Sequence, residues 1–353
     1  MLAYRTLATD LGDSTLPSSR PSANRLGPAT LLDVDNLCVQ AFRPGLGPIP
    51  ILESVSFKIW PGEIVGVLGE SGCGKTTLSR ALLGILPGGL TVRGGSATLD
   101  SQKLFGMPEA LLRTVRGNTI SLIHQEAEGA LHPLMRVRDQ VAEILRAHRS
   151  SSYRACLKEC ACVLRDIFGE NADRIGRSYP HELSGGQRQR VLIAQAVVCR
   201  PKIVIADEPT ASLDLATQSE IISLLSALNR RNGMAILLIT HNPSILRQLT
   251  QRAVIMYAGR IIEQGPTDAV LADPLHPYTQ ALLRLERRFS PETLVEKSRL
   301  ATIPGTSPDH ADLPPGCTYE PRCGVRMARC NSGEPALLPI PKERFVRCVH
   351  HEK

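Results

Sequence analysis

The sequence of 353 residues predicts an α/β fold in which buried strands alternate with helices. Three observations carry this. Glu63 to Leu68 is a short, apolar, β-branched run, the pattern of a buried strand. It leads into Gly69-Glu70-Ser71-Gly72-Cys73-Gly74-Lys75-Thr76, after which Leu78, Ala81, Leu82 and Ile85 recur at helical spacing. Further apolar runs, Ala97 to Leu99, Ile120 to Ile123, Ile203 to Ala206 and Ala235 to Ile239, read as strands, and from about 135 to 180 the pattern turns helical.

Strand, glycine loop and helix in that order are the context that a G-x-x-x-x-G-K-[ST] phosphate loop requires. A triphosphate needs many donors converging on a small anionic volume. Gly72 and Gly74 let successive N–H groups turn inward where a side chain would block the phosphates, and the positive end of the next helix adds to that field. Lys75 is expected to reach the β- and γ-phosphates and the Thr76 hydroxyl to ligate Mg²⁺. The chain is therefore expected to bind a nucleoside triphosphate.

Bulk properties set wider bounds. A net charge of +7 is not organised into a Lys/Arg block with interleaved aromatics, so solubility explains it better than nucleic-acid binding. No apolar run is long enough to span a bilayer. Residues 1–30 are rich in Ser, Pro and Arg and lack a secretion signal, while Asp10 and Asp13 argue against a transit peptide, so a disordered extension is expected. Ten cysteines in that context point to reduced thiols.

Leu32 to Val39 and Val55 to Ile59 alternate around a Pro/Gly-rich turn at Pro44 to Pro50, predicting a small antiparallel sheet. Phe42 in this region could stack on an adenine ring or be an ordinary loop aromatic. Residues 154–168 place Cys156, Cys160, Val163, Leu164 and Ile167 on one stripe, and these thiols read as core rather than as metal ligands. Leu183-Ser184-Gly185-Gly186-Gln187 opens another helical segment, Arg188 to Cys199, with Ser184 suited to the helix start. The 203–206 strand ends in Asp207, placed to hold Mg²⁺, and Glu208, placed to activate water at the γ-phosphate. Ser212-Leu213-Asp214 follows, and the 235–239 strand delivers Thr240-His241, a histidine placed to orient the γ-phosphate.

Taken in order, these residues resemble an ATP-binding cassette (ABC) ATPase: Walker A 69–76, glutamine loop at Gln125, LSGGQ signature 183–187, Walker B 203–208, D-loop 212–214, switch histidine His241. The resemblance implies a RecA-like core with an antiparallel β subdomain and a helical subdomain at about 126–182, within an ATPase domain spanning 31–265. It implies catalytic roles for Glu208, His241, Lys75 and Gln125, with Mg²⁺ held by Thr76, Gln125 and Asp207. The nucleotide would contact Gly69, Glu70, Ser71, Gly72, Cys73, Gly74, Lys75, Thr76, Thr77 and Phe42. Ser184, Gly185, Gly186 and Gln187 would serve the nucleotide of a facing cassette.

Tyr179-Pro180-His181-Glu182, Met256-Tyr257-Ala258-Gly259 and Asp273-Pro274-Leu275-His276-Pro277-Tyr278-Thr279 resemble the dipeptide/oligopeptide branch, which nickel importers partly share. That implies a second, different ATPase subunit, two membrane permeases, an extracytoplasmic binding protein and a position on the cytoplasmic face of a bacterial inner membrane. A soluble ABC ATPase acting on nucleic acid or ribosomes is the competing class, without the coiled-coil insertion or tandem cassettes it predicts. Region 266–353 ends in Cys317, Cys323, Cys330 and Cys348, spaced C-x5-C-x6-C-x17-C in a proline-rich segment. A metal staple would suit a piece too small to hold a core. The branch implies a [4Fe-4S] cluster; zinc, using His350 or His351, and free or disulfide-linked thiols remain open. Departures from the branch pattern fall at 126–133, at Asn242 and at Ser212.

Overall fold

The computed structural model describes residues 29–45, 47–125, 127–287 and 303–352; the extension expected at 1–30 lies almost wholly outside them. Alternating apolar residues in β1 (Leu32–Arg43) put Leu32, Val34, Leu37 and Val39 on one buried face, and β1 pairs antiparallel with β2 (Gly47–Ile59). The turn is shorter than the prolines suggested. Pro48 and Pro50 lie inside β2, which is tolerated because β2 is the edge of its sheet, where a missing N–H leaves no partner wanting.

After β3 (Ile64–Leu68), β4 (Leu90–Leu99) pairs with the other side of β1, and β5 (Gln102–Lys103) completes this four-stranded sheet. The larger sheet runs parallel through β9 (Arg252–Tyr257), β3, β8 (Ala235–Thr240), β7 (Ile203–Asp207) and β6 (Ile120–Ile123). Every residue of β3, β7 and β8 is buried, so these strands read as continuous apolar runs instead of alternating ones.

Helix α1 (Lys75–Leu82) leaves the glycine loop directly from β3, and the short α2 (Glu109–Val115) and α3 (Ala127–Ala130) flank β6 in sequence. The helical segment is α4 (Val137–His148), α5 (Tyr153–Phe168) and α6 (Ala172–Arg177). Ser152 caps α5 by accepting from Ala155 N, and Cys156, Cys160, Leu164 and Ile167 form its buried stripe. Burial pushes the Cys160 thiol up to about 12, the behaviour of a small core hydrophobe. Then come α7 (Gly185–Val197), α8 (Leu215–Asn232) and α9 (Pro243–Leu249).

The C-terminal region continues the larger sheet. β10 (Arg260–Pro266) pairs antiparallel with β9, and after α10 (Thr267–Ala272) and α11 (Pro277–Arg287) the chain returns to the same sheet. There β12 (Arg344–Val346) pairs with β10, and β11 (Leu338–Ile340) with β12. A segment too small for its own core borrows one: Ile303 and Tyr319 pack with Leu68, Tyr257 and Tyr278, and Cys317 and Cys323 lie against that cluster. No helix of the described residues is long and apolar enough to cross a membrane.

Candidate nucleotide site

The glycine loop turns because two of its residues take left-handed backbone: Gly72 at φ +83° and Gly74 at φ +103°. Their roles differ. A Cβ on Gly72 would meet nothing within 4 Å, whereas one on Gly74 would lie 2.6 Å from Leu52 Cδ2. Gly69 is also sterically fixed, since a Cβ there would lie 2.4 Å from the Met256 carbonyl oxygen. At Gly74 and Gly69, then, β2 and β9 already crowd the space a side chain needs. Lys75, buried at the start of α1, donates to the carbonyls of Gly69 (2.7 Å) and Glu70 (3.0 Å), which holds its ammonium inside the loop.

An open cleft lies in front of the loop, lined by Ser71, Gly72, Gly74, Lys75, Thr76, Thr77, Gln125, Glu208, Ser212 and His241 among others. Asp207 closes β7, with one carboxylate oxygen taking the Ser79 hydroxyl at 3.2 Å. Its other oxygen is buried with no hydrogen-bond partner. Burial raises the carboxyl above its ordinary value, against the pull of the Ser79 and Thr76 hydroxyls. A buried oxygen without a donor beside a threonine hydroxyl is a donor set that fits a hard divalent cation, so Asp207 and Thr76 suit Mg²⁺. Gln125 stands exposed after β6, at the border between this cleft and a groove lined by Arg80, Arg116, His124 and Leu192.

Glu208 sits just past β7 at φ +48°, pinned by its N–H to Ile239 O (2.9 Å) and its carbonyl to Ala211 N (3.1 Å). That conformation costs on the order of 1 kcal/mol or more for a side-chain-bearing residue, and it aims the carboxylate into the cleft. There the Glu208 Oε2 meets His241 Nδ1 at 2.9 Å. Asn242, one of the departures, caps α9: its Oδ1 accepts from Ser244 N at the start of the helix. Ser212, the other departure, takes φ +62° and lines the cleft.

Several expected residues lie elsewhere. Glu70 turns out of the cleft toward the C-terminal region, and the Cys73 thiol is buried in the core, its pKa raised by that burial. Phe42 is 66% exposed at the end of β1, outside the residues that line the cleft. Ser184 caps α7 in a reciprocal box with Gln187, also away from this chain's own glycine loop. A Cβ on Gly186 would lie 2.5 Å from Thr217 Cγ2, so the signature turn is fitted against α8, itself capped by Asp214.

The four cysteines of the C-terminal region gather in one place. Cys317, Cys323, Cys330 and Cys348 are near enough to perturb one another electrostatically, and Cys317 N donates to Cys330 O at 2.8 Å. Yet among the described residues no group of three or more His, Cys, Asp or Glu is placed to hold a metal ion. His350 and His351, the zinc alternative, face the carbonyls of Val325 and Leu275. Burial raises the Cys317 thiol to about 12 and raises Cys323 and Cys348. Neither the cluster nor zinc has a ready ligand shell.

Three residues touch the loop through contacts that the sequence did not announce. Arg322 forms a bidentate pair with Glu70 (2.8 and 3.1 Å), His310 spans Pro50 O (2.9 Å) and Gly72 O (3.1 Å), and Tyr278 Oη accepts from Glu70 N (2.9 Å). They lie more than 200 residues from their partners, beyond the reach of any local pattern.

The chain matches the ABC transporter family over residues 52–211 and the oligopeptide/dipeptide transporter C-terminal region over 262–330. It is 36% identical to the oligopeptide transport ATP-binding protein AppD of Bacillus subtilis, across 92% of this chain and 98% of that protein. Identity to the oligopeptide transport ATP-binding protein OppD of Salmonella typhimurium is 38%, covering 86% and 89%. Among solved structures it is similar to a bacterial ABC transporter cassette in dimeric form (TM-score 0.59, 26% identity, 67% of this chain and 98% of that one). The cassette cbiO1 of Clostridium perfringens matches at TM-score 0.59 and 28% identity, over 73% and 96%. With the loop, the carboxylates after β7 and the C-terminal region all in place, the chain belongs to the ABC transporter ATPases, in the branch that carries the oligopeptide/dipeptide transporter C-terminal region.

Proposed function

We propose that this chain hydrolyses ATP to drive an importer of dipeptides or oligopeptides. One observation carries the reading: Lys75, Thr76, Glu208 and His241 line one cleft, with Asp207 beside it, in a chain whose C-terminal region matches that transporter family. In this reading the loop amides and Lys75 hold the β- and γ-phosphates. Glu208 takes the proton of the attacking water, and His241 holds the Glu208 carboxylate in position. Mg²⁺, held by Asp207 and Thr76 with Gln125 at the border, would neutralise charge on the phosphates.

The signature turn, Ser184 to Gln187, lies away from this chain's own cleft, which supports a site completed by a facing cassette. The dimeric state of the similar bacterial cassette agrees with that. A homologous but different ATPase would supply the second cassette, and of the two permeases one would seat a coupling helix on this chain's helical segment between Gln125 and the signature. ATP would close the pair and hydrolysis reopen it, at the cytoplasmic face of a bacterial inner membrane, with an extracytoplasmic binding protein delivering solute. The domain limits 31–265 and 266–353 belong to the same proposal, with the shared sheet as their physical join. No basic, aromatic-bearing surface in the sequence favours the nucleic-acid alternative.

The test is reconstitution of the chain with its permeases and second cassette in proteoliposomes. Peptide-loaded binding protein should stimulate Mg²⁺-ATP hydrolysis and bring labelled peptide inside; stimulation by nickel and not by peptide would overturn the solute class. For the cysteines, mutual closeness supports a metal that draws the four thiols together on binding. Iron and acid-labile sulfide in anaerobically purified chain would establish a cluster, and zinc without sulfide, or neither, would refute it.

A further inference from the structure

The glycine loop is held from outside by a part of the chain that nucleotide chemistry does not require. Glu70, the first variable position of the loop, presents both carboxylate oxygens to the fork of Arg322, at 2.8 and 3.1 Å. Bidentate charge-assisted pairs of this kind fix direction as well as distance. The pair is sheltered, with the Arg322 side chain only 7% exposed, so water screens it little. Arg322 is itself set in place: its Nε donates to Pro304 O at 2.8 Å, and its guanidinium lies 5.8 Å from the centre of the Tyr257 ring. Ser307 adds a hydroxyl bond to Glu70 at 3.2 Å. Two residues further along the loop, His310 joins Gly72 O to Pro50 O of β2. Gly72, at φ +83°, has open space where a side chain would stand.

We propose that Arg322 and His310 are positioning residues for the nucleotide loop, so that the C-terminal region sets the affinity for ATP. The proposal rests on reading 69–76 as the nucleotide loop. Its physical content is preorganisation: a loop already fixed at Glu70 and Gly72 pays its ordering entropy during folding, and without the clasp that cost falls on nucleotide binding. Neither residue touches the reacting atoms, so the effect belongs in affinity more than in turnover.

The experiment uses the full chain. Mg²⁺-ATP affinity is measured by calorimetry for the wild type, Lys75→Ala, Arg322→Gln, Glu70→Gln, the double variant and the exchanged pair Glu70→Arg/Arg322→Glu. KM and kcat follow in the assembled transporter, with melting temperature recorded for each. Arg322→Gln and Glu70→Gln should each weaken binding about tenfold, equivalent to about 1.4 kcal/mol. The double variant should be no worse than either single one, because both remove the same contact. The exchanged pair should recover part of the loss, and KM should rise more than kcat falls. His310→Ala should weaken binding in the same sense. Unchanged affinity in both single variants, or losses that simply add, would overturn the clasp. Should Arg322→Gln fail to fold, Glu70→Gln, altering the more exposed partner, carries the test alone. A wild-type chain without Mg²⁺-ATP affinity, or unaffected binding in Lys75→Ala, would instead overturn the loop assignment, and the clasp with it.

Discussion

Replacing Glu208 by glutamine removes one charge and almost nothing else. The backbone at φ +48° is pinned by main-chain bonds on both sides, and glutamine matches glutamate in size. An amide can still meet His241 Nδ1, now 2.9 Å from the carboxylate, so the geometry of the cleft should survive. What is lost is a base able to accept the proton of the attacking water. Positioned general bases contribute about 10²–10⁴ in rate, or roughly 3–5 kcal/mol of barrier. Single-turnover hydrolysis in the assembled transporter should fall by that factor while Mg²⁺-ATP binding persists. His241 acts through Glu208 and its side chain is 62% exposed, so solvent discounts its hydrogen bond. His241→Ala should therefore cost less, on the order of tenfold, near the lower end of the range for a bond to a charged group. Hydrolysis by the Glu208→Gln chain within a few fold of wild type would refute the base assignment. A larger loss from His241→Ala than from Glu208→Gln would show that the roles are reversed.

Gly74→Ala should destabilise the chain more than Gly72→Ala in thermal melts, since only at Gly74 would the new Cβ meet Leu52, at 2.6 Å; the left-handed backbone alone costs about 1–3 kcal/mol at either site. Asp207→Asn should leave ATP binding in EDTA intact and abolish its enhancement by Mg²⁺, because the buried oxygen that lacks a partner is the one that suits the cation. His276 is wholly buried, and burial holds its pKa at about 3 against an ordinary 6.5. With the folded-state value depressed, the unfolded chain takes up the proton first as pH falls below 6.5. Stability should then decline by up to about 1.4 kcal/mol per pH unit toward pH 3, and His276→Gln should flatten that acid slope in denaturant titrations.

Local chemistry was legible in the sequence wherever a backbone unit carried its own signal. The β3 strand, the glycine loop and α1 are contiguous, so one stretch of chain specifies all three. Ser184 and Gln187 cap α7 from within four residues, and the apolar runs of β7 and β8 follow from burial on both faces. Legibility ended where a contact closes over distance. Glu70 looked like a loop residue facing the nucleotide because nothing near it in sequence announces Arg322. The prolines of β2 looked like a turn because edge position is a property of the whole sheet. Gly74 was assigned to backbone bending and phosphate clearance, and the sequence did not announce that Leu52 also crowds its side-chain position. The four cysteines were read from their spacing and from the branch they resemble, and neither says how near one another the thiols stand.

The boundary at residue 265, which the family resemblance implies, falls within an electrostatic knot. Glu263 on β10 is fully buried, and its carboxylate accepts from Leu275 N and His276 N, each at 2.9 Å, and from Arg344 Nη2 of β12 at 2.8 Å. All three donors come from beyond the boundary. Replacing Arg344 alone would leave this buried carboxylate without its charge partner, a loss of about 3–5 kcal/mol, and removing the C-terminal region would take away all three donors. It would also strip Tyr278, Tyr319 and Ile303 from the cluster around Leu68 and Tyr257, the residues that back the strand before the glycine loop and the strand that crowds Gly69. The free energy that orders this region is therefore shared with the nucleotide site, through Glu263 at the sheet and Glu70 at the loop.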